Sequence, residues 1–312
     1  MLTQVLIFVV AIAILLISAQ FFTSAAEQIG KYFKMPSFVV GVFIVGIGTS
    51  LPELVSSILA VQQSVSEIVP GNVMGSNISN VLLITGLVAV FNRKEIKLTQ
   101  SYIFIHLHYL IGAFFIFTII AFDGEIIWYE AIVGLLAFII YSLYLIHDDR
   151  KEHLLDEIKT HKKDPFPVKQ ALIILACSFG IYLGADYTIS SLSFIAGHFQ
   201  IAPSVIALTV LSIGTTLPEL AVNITAIRQG KAEMAVGNVL GSSIFNSLVV
   251  PAIASFFGSI AVPDHLLAFS LPVMIGSGLF FYLLTHDKRI SPWEGSLFVF
   301  IYTLFILKIA VP

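Results

Sequence analysis

The chain has 312 residues, of which 57% are apolar and only 11% charged, and its mean hydropathy is +0.96. Soluble domains carry about 25% charged residues, so a soluble fold is excluded, and the long apolar runs between charges argue for helices over a β-barrel. The net charge of −3 leaves no electrostatic footprint for nucleic acid, and the single Cys177 excludes an internal disulfide or a cysteine metal cage.

A membrane-spanning helix needs about 20 mostly apolar residues. In chain order, ten segments meet this: 4–22, 38–61, 70–91, 101–121, 126–146, 168–190, 204–227, 234–257, 265–284 and 293–311. The third and eighth are interrupted by Gly, Asn and Ser. The first lacks a positively charged start, because Met1 to Gln4 hold no Lys or Arg, so it is expected to be a retained helix rather than a signal peptide. The longest polar stretch, 147–167, is the length of one connecting loop and leaves no room for a soluble domain.

Lys and Arg set the orientation. Lys31 and Lys34 fall between spans one and two, and Arg93, Lys94 and Lys97 between three and four. Arg150, Lys151, Lys159, Lys162, Lys163 and Lys169 cluster between five and six. Arg228 and Lys231 follow span seven, and Lys288 and Arg289 follow span nine. Lys308 is the exception among 16 basic residues, and the alternate connections hold none. Both termini are therefore expected outside and the 147–167 loop in the cytoplasm.

An internal repeat organises the chain. Residues 46–80 read GIGTSLPELVSSILAVQQSVSEIVPGNVMGSNISN, and residues 212–246 read SIGTTLPELAVNITAIRQGKAEMAVGNVLGSSIFN. The offset is 166 without a gap, and 18 of 35 positions are identical. It moves the motif by five spans, an odd number, so the second copy enters the membrane from the opposite side. The expected fold is all-α and integral to the membrane, with ten transmembrane helices in two inverted five-helix repeats, 1–146 and 168–312, joined by the 147–167 linker. Secondary transporters are commonly built this way, with the binding site near the midplane.

Of 19 acidic residues, only Glu53 and Glu219 lie deep in apolar segments, and they occupy the same repeat position. An intramembrane carboxylate costs a few kcal/mol and is functional by default. Pro52 and Pro218 precede them, so bends are expected at Gly46 to Pro52 and at Ser212 to Pro218, freeing carbonyls near Gly48 and Gly214. Thr49, Ser50, Thr215 and Thr216 add hydroxyls, although serine and threonine also back-bond to their own helix. The second motif supplies Asn72, Ser76 and Asn80, matched by Asn238, Ser242 and Asn246, with Ser76 and Asn80 sharing one face, as do Ser242 and Asn246. Gly71 with Gly75, and Gly237 with Gly241, let helices approach closely. These donors are oxygens without sulfur or histidine, which suits hard cations such as Ca²⁺ or Na⁺ rather than zinc or copper.

Weaker candidates carry bland expectations. His106 and His108 are expected to be structural at the interface. Asp186, aligned with Gln20, suits helix packing or a rim. Glu67 and Glu233 suit a solvated mouth, and Trp128 and Trp293 interfacial anchors.

GTSLPEL with GNVMGSNISN, and GTTLPEL with GNVLGSSIFN, resemble the α-repeats of the cation/calcium exchanger superfamily, most closely its prokaryotic sodium/calcium exchanger branch. The resemblance implies antiport at one central site, with helices one and six sliding against the rest. It assigns ion ligands to Thr49, Ser50, Glu53, Ser76 and Asn80, to Thr215, Thr216, Glu219, Ser242 and Asn246, and to carbonyls near Gly46 and Ser212. Transported Ca²⁺ and Na⁺ or H⁺ are the expected ligands, with no cofactor, in a prokaryotic inner membrane. Members usually carry Asp where this chain has Asn246, so two carboxylates are expected rather than three. Competing readings are H⁺/Ca²⁺ exchange, an intramembrane enzyme using the glutamates as acid and base, and an ion channel.

Overall fold

The structure is a computed structural model that describes residues 2–33, 47–98, 100–153, 167–228, 230 and 232–310. Helix α1 spans Leu2–Tyr32 and α2 Leu51–Gln62, the latter preceded by one turn at Ile47–Thr49. Next come α3 (Ile68–Asn92), α4 (Gln100–Ala121), α5 (Trp128–His153), α6 (Val168–Phe199) and α7 (Pro203–Arg228). Helix α8 (Ala232–Leu248) resumes after Val249 as Val250–Ser255, and α9 (Leu266–Asp287) and α10 (Pro292–Ala310) complete the series.

Among the described residues, eight helices are long and apolar enough to cross a membrane, and two shorter apolar helices, Leu51–Gln62 and His106–Ala121, accompany them. Several bounds differ from the hydropathy reading. Helix α1 runs ten residues further than 22, and α6 continues to Phe199, because their amphiphilic ends still satisfy backbone hydrogen bonds internally. Helix α5 extends through His153 into the stretch expected to be linker. The start of the second expected span, 38–46, lies outside the described residues.

The packing is inverted relative to a soluble protein. Leu6, Val10, Ile14, Ile17 and Phe21 of α1 are exposed, as are Leu136, Ile139, Ile140 and Leu143 of α5. Helix α3 and α8 are instead buried along most of their length and form the centre. These apolar faces suit lipid, where helix association depends on close packing rather than on water exclusion.

Two short antiparallel ladders tie distant parts together. Strand β1 (Ile96–Lys97) pairs with β4 (Arg289–Ile290), and β2 (Glu125–Ile126) pairs with β3 (Ile260–Ala261). The α3–α4 and α9–α10 connections therefore share one end of the molecule. The α4–α5 and α8–α9 connections share the other. The first end carries Lys97, Arg289 and an exposed Arg289–Glu95 ion pair at 3.4 Å, and the second ladder has no basic residue.

Helices α1 and α6 lie side by side over much of their length. Leu15, Ala19, Ile181 and Ala185 are buried between them with Leu59 of α2. Gly184 permits this approach, since a Cβ there would sit 2.7 Å from the backbone N and 2.8 Å from the Cα of Leu15. Overpacking of this kind costs about 1–3 kcal/mol. Gly184→Ala is accordingly expected to lower the melting temperature in detergent, whereas Gly197→Ala, in the same helix with open space around it, should match the parent. Equal melting of all three proteins would show that the α1–α6 contact is not tight.

Candidate functional site

The site begins with two helix breaks. Backbone dihedrals leave helical values at Ser50 (φ −92°, ψ 9°) and at Thr216 (φ −84°, ψ 1°). Pro52 and Pro218 follow two residues later and supply no N–H to the carbonyls four residues back. Ser50 N–H donates to Ile47 O in a tight i→i−3 turn, while Thr216 N–H keeps the ordinary helical bond to Ser212 O, both at 3.1 Å. Each helix then restarts with its glutamate in the first turn, Glu53 in α2 and Glu219 in the second part of α7. A helix N-terminus favours negative charge.

Both glutamates are fully buried, and the hydroxyl of Ser50, three residues before Glu53, reaches the Glu219 carboxylate, which brings the two motifs together. The hydroxyls around them are exchanged between the two motifs. Ser50 Oγ donates to Glu219 Oε1 at 3.3 Å, and Thr49 also stands at the Glu219 carboxylate. Thr215 stands beside Glu53 without meeting hydrogen-bond geometry there, since neither Glu53 oxygen has a partner. Its hydroxyl is directed instead to Asn72 Oδ1 at 3.4 Å and to Ser212 O at 3.3 Å.

Helices α3 and α8 face these breaks. Ser76, Asn80, Ser242 and Asn246 are all buried. The hydroxyls of Ser76 and Ser242, and both amide atoms of Asn80 and Asn246, have no hydrogen-bond partner, nor does Glu219 Oε2. Each such orphan costs about 1–3 kcal/mol in an apolar interior, and more for a charged group. In α3 the turns widen from Ser79 to Ile84 into a π-helical stretch, a form found at functional sites; within it Asn80 O accepts Thr85 Oγ1 at 3.1 Å. Close backbone approach holds α3 against α7, because a Cβ on Gly71 or Gly75 would collide with the carbonyl of Ser204 or Leu208.

Orphaned carboxylate, hydroxyl and amide oxygens around facing carboxylates form a donor set for a hard cation. Among the described residues, no cluster of three or more His, Cys, Asp and Glu side chains exists. That fits a site built on two carboxylates and neutral oxygens, and disfavours a zinc or copper centre.

Some expectations are modified. Thr216 Oγ1 back-bonds to Ser212 O at 2.9 Å and Ile213 O at 3.1 Å, and Ser212 Oγ to Leu208 O at 2.7 Å. The Ser212 carbonyl is therefore already an acceptor within its own turn. Gly46 and its carbonyl lie outside the described residues. His106 is buried, with Nδ1 2.7 Å from the Tyr141 hydroxyl, as suits a structural role. His108 packs edge-on to Tyr282. Asp186 accepts Gln63 Nε2 at 2.8 Å, which ties α6 to the end of α2, as suits helix packing. Glu67 is half-buried and accepts Ser204 Oγ at 3.1 Å, while the Glu233 side chain is outside the described set. Trp128 and Trp293 are exposed in the first turns of their helices.

Several buried polar residues escaped the sequence reading, among them one repeat-matched pair. Ser57 and Asn223 lie four residues after Glu53 and Glu219, hence on the glutamate faces. Asn223 Oδ1 accepts Asn238 Nδ2 at 3.1 Å. Their matched repeat positions and helical spacing were a legible signal.

The family described as sodium/calcium exchanger protein matches residues 3–147 and 169–310. The sodium/calcium exchanger MaX1 of Methanosarcina acetivorans is 31% identical, with 97% of each chain covered. An uncharacterized membrane protein of Methanocaldococcus jannaschii is 29% identical, over 97% of this chain and 96% of its own. A solved structure of the sodium-calcium exchanger NCX_Mj, soaked with Na⁺ and Sr²⁺, matches with a TM-score of 0.66 at 27% identity, covering 100% of this chain and 99% of that one. With its matched glutamate breaks, its orphaned oxygens and a family match over nearly its whole length, the chain belongs to the sodium/calcium exchanger family of membrane transporters.

Proposed function

We propose that this chain is an antiporter that exchanges Na⁺ for Ca²⁺ across a prokaryotic inner membrane and extrudes Ca²⁺ by alternating access. The observation that carries this reading is the pair of buried, facing carboxylates, Glu53 and Glu219, set in the first turns after two matched helix breaks. Two negative charges balance one Ca²⁺ or two Na⁺, so either ion neutralises the same site in turn. Ca²⁺ takes 6–8 oxygens. Thr49, Ser50, Ser76, Asn80, Thr215, Thr216, Ser242 and Asn246 supply the neutral ones in this reading, with carbonyls near Gly46 and Ser212.

The proposed architecture is ten spans in two inverted repeats, 1–146 and 168–312, around the 147–167 linker, with both termini outside. Matching element bounds support it. Leu2 of α1 and Val168 of α6 begin their helices at the 166-residue offset, and Leu51–Gln62 corresponds to Leu217–Arg228. Each ladder pairs a strand of the first half with one of the second. Helices α1 and α6, packed on each other, are the proposed sliding pair.

A second reading, H⁺/Ca²⁺ exchange, is favoured by one observation. Asn246 contributes no charge, so Glu53 and Glu219 are the only carboxylates among the proposed ligands, and two protons would neutralise them equally well.

Breaking a buried contact between opposite charges by removing one partner costs about 3–5 kcal/mol, so losing either carboxylate from a bound Ca²⁺ weakens it more than a hundredfold at roughly 1.4 kcal/mol per decade. Glu53→Gln and Glu219→Gln are each expected to abolish ⁴⁵Ca²⁺ uptake driven by an outward Na⁺ gradient in proteoliposomes. Uptake at the parent rate in both variants would remove the glutamates from the mechanism. Replacing the Na⁺ gradient with a pH gradient should leave the parent protein inactive; robust pH-driven uptake without Na⁺ would select proton coupling instead.

A further inference from the structure

A hydroxyl holds a cation through a lone pair, so its single proton must go to another acceptor. Thr215 stands beside Glu53, and neither Glu53 oxygen has a hydrogen-bond partner. The direction of the Thr215 proton therefore decides what that carboxylate meets. Thr215 Oγ1 has Ser212 O at 3.3 Å and Asn72 Oδ1 at 3.4 Å as acceptors. A carbonyl oxygen has two lone pairs. Ser212 O already accepts the Thr216 N–H at 3.1 Å and Thr216 Oγ1 at 2.9 Å. Asn72 Oδ1 is the less crowded acceptor.

Packing fixes Asn72 at this place. A Cβ on Gly71 or Gly75 would collide with the Ser204 or Leu208 carbonyl, so α3 is pressed against α7 just ahead of its break. Asn72 is fully buried, and its Nδ2 has no hydrogen-bond partner. Thr215 is thus the contact that engages the amide. The second half uses its groups differently. Asn238, at the position matching Asn72, donates Nδ2 to Asn223 Oδ1 at 3.1 Å, and Ser50 gives its hydroxyl proton to Glu219 Oε1 at 3.3 Å. Glu219 meets a donor, whereas Glu53 meets a hydroxyl whose proton is directed away.

We propose that Asn72 is a positioning residue: by accepting the Thr215 proton it leaves the Thr215 lone pairs for a cation at Glu53 and raises the affinity there. The proposal rests on the central-site reading above. A carboxylate and a hydroxyl oxygen with no proton between them repel, and a cation between them turns that repulsion into attraction. Without Asn72 the Thr215 proton is free to bond Glu53 in the empty site, and each incoming ion must displace it. Asn72 itself does not touch the ion. The plain alternative is that its amide only packs α3 on α7, a common use of amides in membranes.

Coupling between the two positions separates these roles. Equilibrium ⁴⁵Ca²⁺ binding to the purified protein gives Kd for the parent, for Asn72→Leu, for Thr215→Val and for the double variant. Asn72→Leu should raise Kd by roughly tenfold, the worth of about one hydrogen bond. Combined with Thr215→Val, which leaves no hydroxyl to orient, Asn72→Leu should add less than about twofold, because the two changes remove one interaction. Combined with Thr215→Ser, which keeps the hydroxyl, it should again cost roughly tenfold. Asn72→Ala repeats each comparison with a smaller side chain and guards against a leucine that does not fit. Equal losses in all three backgrounds mark a packing role and overturn the proposal, as does a parent-like Kd in both Asn72 variants; Na⁺-driven Ca²⁺ flux of the parent then leaves the exchanger reading standing. A parent protein that neither binds nor transports Ca²⁺ overturns both.

Discussion

Everything in this molecule is arranged around two carboxylates that an apolar interior cannot tolerate alone. Glu53 and Glu219 are both fully buried, brought together by the Ser50 hydroxyl, and short of donors. An ion at membrane depth costs several kcal/mol unless it is compensated. The fold does not compensate them with Arg or Lys, since the basic residues sit in connections or at helix ends. It surrounds them with hydroxyls and amides whose remaining lone pairs are unused. Such a site is incomplete as a protein core and suits a mobile cation as its missing member.

The exchange of hydroxyls between motifs explains why the repeat is needed. Ser50 and Thr49 attend Glu219, and Thr215 stands by Glu53, so neither half owns a complete site. Moving one break relative to the other therefore changes the coordination of both carboxylates together. The close packing at Gly71 and Gly75 fixes α3 on α7, and the ladders fix the connections of the two halves. Helices α1 and α6 contribute little polar chemistry to the centre and mostly present apolar faces outward. That division is the one the proposed sliding of α1 and α6 requires.

The membrane class, the repeat and the central residues were legible because each depends on a local chemical exception. A glutamate after a proline in an apolar run is such an exception, and doubling it at one offset removes coincidence. Ser57 and Asn223 were not singled out because neither shouts alone: serine and asparagine occur freely in membrane helices, and the weight of Asn223 comes from its bond to Asn238. Helix lengths such as that of α6 escaped because hydropathy registers the lipid-exposed run but not the backbone bonds that continue past it. The His106 contact escaped because its partner, Tyr141, is 35 residues away on another helix.

The departures from symmetry carry as much information as the repeat itself. In the proposed inverted arrangement the chain opens to one side only when its halves differ in shape, so matched residues differ in their bonds. Ser50 donates to Glu219, while its counterpart Thr216 back-bonds to Ser212 O and leaves Glu53 without a donor. Asn223 Oδ1 accepts Asn238 Nδ2, while Ser57, at the position matching Asn223, has an unpaired hydroxyl. Exchanging the conformations of the halves would release Thr216 to Glu53 and Ser50 from Glu219. The carboxylate that lacks a donor would then be the other one. Two states of comparable energy follow from two nearly equivalent sets of contacts, and a bound cation need contribute only a small difference to shift between them.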